Sequence, residues 1–175
     1  MSTSDVSRTP DGIGPQHLDA RGRRGRASPA SLVVFGAVVV LGLTGVLGHE
    51  REWSAVEGGT SLSVHMPETI RNGEFAEMRV TVVSEVEIAD LKIGIEQGLW
   101  EDMTVNTMIP AATDESSADG EFRFTFGPLA AGTSFLLKVD AQTNPDIVGG
   151  NSGSITVYDG DTVLTGTDLD MRVLP

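Results

Sequence analysis

From residue 62 onward, apolar residues recur at every second position. Leu62, Val64 and Met66 alternate with polar neighbours, and Met78, Val80 and Val82 alternate with Glu77, Arg79 and Thr81. Leu91, Ile93 and Ile95 alternate with Lys92, Gly94 and Glu96, and Phe122, Phe124 and Phe126 with Arg123 and Thr125. Phe135, Leu137, Val139 and Ala141 are interleaved with Leu136, Lys138 and Asp140. Ile155 and Val157, then Leu169, Met171 and Val173, complete the series. Successive strand side chains point to opposite faces, so each run offers one apolar face to a core and one polar face to water. Turn chemistry separates the runs: Asn72-Gly73, Gly127-Pro128, Ala131-Gly132, and Asp159-Gly160, read as a type I′ hairpin. The pattern predicts roughly seven to nine short strands, the signature of an all-β antiparallel sandwich.

One stretch follows neither period. Residues 30–48 read ASLVVFGAVVVLGLTGVLG, without a charge. As a helix at ~1.5 Å per residue this run covers about 28 Å, close to the ~30 Å hydrocarbon core of a bilayer. It predicts a transmembrane signal anchor. A cleaved signal peptide is the rival reading, but the run lacks an Ala-x-Ala site. The basic cluster Arg21-Gly22-Arg23-Arg24-Gly25-Arg26 precedes the span, and the far flank, His49-Glu50-Arg51-Glu52, carries one Arg. By the positive-inside rule the N-terminus is cytoplasmic and the C-terminal part extracytoplasmic, in a single-pass protein of the cell membrane. The expected organisation is a disordered basic tail over 1–29, the anchor over 30–48, a polar stalk over 49–60, and the sandwich over 61–175. Trp53 suits either the headgroup layer or an exposed linker.

Charge sharpens this division. Residues 1–48 hold five arginines against three acids, whereas residues 49–175 hold seven Lys or Arg against 22 acids. The chain as a whole carries -13. An acidic surface repels a polyanion, which excludes general nucleic-acid binding. Cysteine is absent, so no disulfide framework, thiolate metal site or cysteine nucleophile is available. Two lysines stand against ten arginines, a bias that suits a GC-rich bacterial genome.

The stretch Glu121-Phe-Arg-Phe-Thr-Phe-Gly-Pro-Leu-Ala-Ala-Gly-Thr-Ser-Phe-Leu-Leu-Lys-Val-Asp140 resembles the strand, PL-x-x-G, strand pattern of immunoglobulin-like extracytoplasmic modules of prokaryotic surface proteins, of the CARDB and DUF11 types. The resemblance covers roughly residues 75–158. It implies an immunoglobulin-like sandwich with an adhesive, accessory or scaffolding role and carries no catalytic residues with it.

The remaining chemistry is sparse. His17, His49 and His65 are scattered, and His49-Glu50 has no second spaced His, so no zinc site is expected. His65 is expected on the solvent face of its strand. Asp159, Asp161, Asp168 and Asp170 invite a calcium reading, but Val163 occupies an EF-hand ligand position. Glu101-Asp102 and the acidic loop Asp114–Asp119 offer paired carboxylates without a visible cleft. Ser116 and Ser117 have no nucleophile-elbow setting. No enzyme, cofactor or metal is expected.

Gln97-Gly98-Leu99-Trp100-Glu101-Asp102 interrupts the alternation and predicts a loop or one helical turn at a sandwich end. Leu99 and Trp100 are the candidate partner-binding residues, because loops carry binding residues and tryptophan is enriched among interface hot spots. The competing role for Trp100 is a plug over the core. The function expected is a non-catalytic, membrane-anchored interaction or scaffolding module, accessory to another membrane or envelope protein. The alternative is a ligand- or calcium-binding receptor module.

Overall fold

The computed structural model describes residues 28–45, 50–145 and 149–175. The chain divides into two units, residues 1–40 and 41–175. The expected basic tail lies, up to residue 27, outside the described residues.

Helix α1 spans Pro29–Leu43. Proline at the first helical position is already shaped for it, and Ser28 ahead of it accepts the first turn, with Leu32 N donating to Ser28 O at 3.1 Å. The helix has no polar face and none of its residues is buried. It stops earlier than the uncharged run does. Thr44 returns its hydroxyl to Leu41 O at 2.8 Å, and Gly45 takes φ 72°, the left-handed turn that ends many helices. Fifteen residues cover about 22 Å. Among the described residues, no helix is long and apolar enough to cross a membrane. The expected span over 30–48 is thus a helix to Leu43, with residues 46–48 outside the described set.

The rest is two packed sheets. Among the described residues, the strands in chain order are β1 (Glu50–Glu57), β2 (Thr60–Pro67), β3 (Thr69–Arg71), β4 (Phe75–Ser84), β5 (Ile88–Glu96), β6 (Met103–Ile109), β7 (Asp114–Ala118), β8 (Glu121–Leu129), β9 (Thr133–Thr143), β10 (Asn151–Asp159) and β11 (Thr162–Leu174). A five-stranded sheet runs β1-β2-β4-β9-β6, and a six-stranded sheet runs β3-β11-β10-β5-β8-β7. The all-β sandwich expected from the alternation is present. The inward residues Leu62, Val64, Val80, Val82, Ile93, Ile95, Leu137, Val139, Ile155 and Val157 are all buried. His65 sits on the outward face of β2, 3.5 Å from Glu52.

Several expectations change. Over its described residues 50–60 the expected stalk is strand and turn: β1 pairs with β2 across a Gly58-Gly59 turn, and Trp53 is buried in the core rather than at a headgroup layer. The acidic loop Asp114–Asp119 is the edge strand β7, paired with β8. Its hairpin turns on Asp119 at φ 55° and Gly120, and Asp tolerates this left-handed conformation better than most residues. Gly127-Pro128 is not a turn. Strand β8 runs through it with a bulge against Leu91, and the chain turns at Ala130–Gly132, the turn expected from Ala131-Gly132. The β10–β11 hairpin forms, but Asp159 pairs with Thr162, so Gly160 and Asp161 are the central residues. Only Gly160 has positive φ there, which fits type II′ rather than I′. Finally, one pair is not antiparallel: the short β3 joins β11 in parallel.

Candidate functional site

Between β5 and β6 the chain makes a single 3₁₀ turn, Gln97–Trp100, at the end of the sandwich where β5 stops and β10 begins. The interruption expected from the sequence is therefore real. Two devices hold it. The buried Asn151 side chain donates to the carbonyls of Leu99, at 3.2 Å, and of Glu101. The second device is close backbone approach. A Cβ on Gly153 would lie 2.9 Å from Leu99 N, and one on Gly98 would lie 2.8 Å from Ser152 O. Any larger residue at either position would push the turn off β10.

The turn separates its two candidate residues. Leu99 is 2% exposed and belongs to the core. Trp100 is half-buried, its ring 6.1 Å from Phe122 in a stacked arrangement and 5.7 Å from Phe124 in a tilted one. Offset and tilted aromatic pairs of this kind add to simple burial. Trp100 lines two separate spaces. One is an apolar cavity of about 20 Å³ lined also by Met66, Met78, Leu99, Met103 and Met171. The other is an open groove of about 430 Å³ lined also by Gln97, Gly98, Glu101 and Phe122. Methionine adapts its shape readily, so the lining of the cavity is deformable. Gln97 is pre-oriented by its amide, which donates to Ser117 Oγ at 3.1 Å.

Around the corner from this groove, the outer face of the six-stranded sheet carries a compact polar network that sequence reasoning missed. Tyr158 lies across Gly94, where a Cβ would stand 2.9 Å from its ring. The Tyr158 hydroxyl donates to Glu121 Oε2 at 2.7 Å. Arg123 Nε donates to the same oxygen at 3.2 Å, and its guanidinium lies 5.1 Å from the Tyr158 ring centre. The Glu121 side chain is only 13% exposed, so these donors replace lost water. Burial, and then the bond to Glu121, push the Tyr158 hydroxyl above its ordinary range. The bond to Glu121 likewise raises the Arg123 guanidinium. The only sequence signal was a glycine amid alternating apolar residues at Gly94.

The other candidates are not brought together. Asp159 accepts the Asp90 N–H at 2.9 Å, and Asp161 lies 3.6 Å from Lys92. Asp168 and Asp170 stand further along β11. Among the described residues, no group of three or more His, Asp or Glu side chains is placed to hold a metal ion.

No family model matches this chain, and no curated protein matches it. Solved structures similar to it include CaCohA2 from Clostridium acetobutylicum, at 16% identity and TM-score 0.45, covering 67% of this chain and 92% of that one. A CARDB domain from Pyrococcus furiosus, solved with di-metal ions, is 15% identical with TM-score 0.44, covering 69% of this chain and 93% of that one. The chitin-binding domain of a Pyrococcus furiosus chitinase is 17% identical with TM-score 0.40, covering 65% of this chain and all of that one.

Proposed function

We propose that this chain is a non-catalytic, membrane-anchored extracytoplasmic module that docks another membrane or envelope protein through the Trp100 groove. The observation that carries the docking role is Trp100 itself. It is a large side chain that lines both a small methionine-rich cavity and an open groove, with Gln97 and Glu101 as polar groups lining the groove. Interfaces concentrate their energy in such aromatic anchors, set within a polar margin. The anchoring role is supported by the uncharged run 30–48, by the basic cluster ahead of it, and by a helix α1 that exposes apolar side chains all round.

Two measurements test the reading. Protease added to intact cells is expected to remove epitopes in residues 61–175 and spare those in 1–29; protection of the C-terminal part overturns the orientation. Trp100→Ala is expected to leave the sandwich folded while abolishing cross-linking to the membrane protein that co-purifies in mild detergent. Undiminished cross-linking by the variant overturns the groove as the docking surface.

A further inference from the structure

The four strands that end the two sheets differ in how they are guarded. An open edge exposes unpaired backbone N–H and C=O groups and accepts further strands unless charge or irregularity deters them. Strand β1 carries Glu50, Arg51, Glu52 and Glu57, β3 carries Arg71, and β7 carries Asp114 and Glu115. Strand β6, reading MTVNTMI, carries no charge, and most of it is exposed, Val105 and Ile109 included. Its one irregularity is a bulge at Asn106, between Val105 and Thr107.

Beside this edge, the outer face of the five-stranded sheet holds an unbalanced charge pattern. Glu77 stands directly opposite Asp140, and Arg79 directly opposite Lys138. Like charges in such register repel. Three of the four settle the matter among themselves: Glu77 lies 2.7 Å from Arg79 and 3.7 Å from Lys138. Among the described residues, no cation lies within salt-bridge distance of Asp140. Asp140 instead faces an open groove of about 290 Å³ shared with Phe75, Glu77, Asn106 and Thr107. Phe75 is 67% exposed, an unusual place for a phenylalanine on a polar sheet face.

We propose that β6 and this groove take an extended basic segment of a partner protein. The segment adds as a strand along β6 and lays one Arg or Lys side chain between the Phe75 ring and the Asp140 carboxylate. Strand addition supplies affinity through the backbone, and the side-chain slot supplies specificity. A cation here meets an aromatic face and an uncompensated carboxylate at once. It also meets a domain that carries an excess of acids, which favours a basic partner over a second copy of this chain. The surface is separate from the Trp100 groove and stands or falls without it.

The test uses the full chain in mild detergent at low salt. The probe is a fluorescent, end-capped heptapeptide of alternating Thr and Val with one central Arg, and the control has Glu in place of that Arg. Anisotropy is expected to show binding of the Arg peptide, with the Glu peptide at least about tenfold weaker. Asp140→Asn and Phe75→Ala each are expected to weaken the Arg peptide by about fivefold. Both residues are exposed, so both variants are expected to melt with the wild type. Val105→Lys, which charges the edge, is expected to abolish binding, and Trp100→Ala to leave it unchanged. Equal binding of the Arg and Glu peptides overturns the proposal, as does indifference to both slot variants. So does dimerisation sensitive to Val105→Lys with no peptide bound, which would assign the edge to a second copy.

Discussion

The two sides of the sandwich are closed by different means. Where β2 and β4 face β10 and β11, aliphatic side chains meet across the gap and exclude water almost completely: Leu62, Val64, Val80, Val82, Ile155 and Val157 are at or near zero exposure. Where β9 and β6 face β8 and β7, no residue of β6 or β7 is buried. Aromatic rings cover that opening instead. Phe126 and Phe135 meet at 4.8 Å between centroids, and Trp100 leans on Phe122 and Phe124. The contrast teaches that stability and recognition are spatially divided. The aliphatic side is a sealed core with nothing to offer a partner. The aromatic side keeps partly exposed rings and an uncharged edge strand, and both proposed docking surfaces adjoin it.

The hardest test of this division is a charge at its boundary. Phe124 is the aromatic of β8 that reaches furthest into the core. Phe124→Asp is expected to unfold the sandwich. Lost burial alone costs ~3–5 kcal/mol against a typical total of ~5–15 kcal/mol, before the penalty of an unpaired buried carboxylate. A wild-type circular dichroism melt would show that β8 does not seal the core. Next in size is a paired truncation. Ile93→Ala, at the sealed centre, is expected to cost ~2–5 kcal/mol. Phe126→Ala removes a larger side chain from the open side yet is expected to cost less than Ile93→Ala in urea titrations. Equal or reversed costs would erase the distinction between the two sides.

How much of this was legible in the sequence follows the same line. The sealed side is built from strands whose inward residues are Val, Ile and Leu at period two, so β2 and β4 are readable at once, and the same period marks β5 and β9 where they carry the core across to the aromatic side. Strand β7, Asp-Glu-Ser-Ser-Ala, has no apolar face because an edge strand with both sides wet needs none. Strand β1 hides Trp53 and Ala55 among glutamates, and only the Gly58-Gly59 pair marks it as half of a hairpin. Gly127-Pro128 reads as a turn, but β5 and β8 absorb it as a bulge because the pairing continues beyond it to Leu129. At the site, the break in alternation at Gln97–Asp102 was visible. That Leu99 turns inward while Trp100 stays at the surface depends on Asn151 and Gly153, some fifty residues away. The juxtaposition of Phe75, Asn106 and Asp140 is likewise a product of register between distant strands, which no local pattern encodes.

Asn151→Ala tests whether the 3₁₀ turn is positioned by that distant side chain. Its loss leaves the Leu99 and Glu101 carbonyls without this donor, and a cost of ~1–3 kcal/mol is expected. In a Trp53→Phe background, Trp100 is the one remaining indole, and its emission is expected to shift to the red as the turn loosens. Unchanged emission together with unchanged stability would mean that packing against Gly153 holds the turn without the amide.

The smallest effect separates the outer polar network from both sides of the core. Tyr158→Phe keeps the ring over Gly94 and removes only the hydroxyl that donates to Glu121, which retains Arg123 and Thr156 as donors. At neutral pH the loss is expected to be ~1 kcal/mol. The pH dependence distinguishes this from a packing defect. Burial first, and then the bond to Glu121, raise the Tyr158 hydroxyl above its usual value near ~10. The folded protein therefore holds this proton more tightly than the unfolded chain does. Its stabilisation is complete below ~10 and is lost as pH rises through the higher folded value. Wild-type stability is expected to fall in that alkaline window more steeply than that of Tyr158→Phe, so the two curves converge as the hydroxyl ionises. Because the chain has a single tyrosine, tyrosinate absorbance reports this ionisation directly. Parallel stability curves across the window, or a tyrosine that titrates at its ordinary value, would show that the bond to Glu121 contributes nothing to the fold.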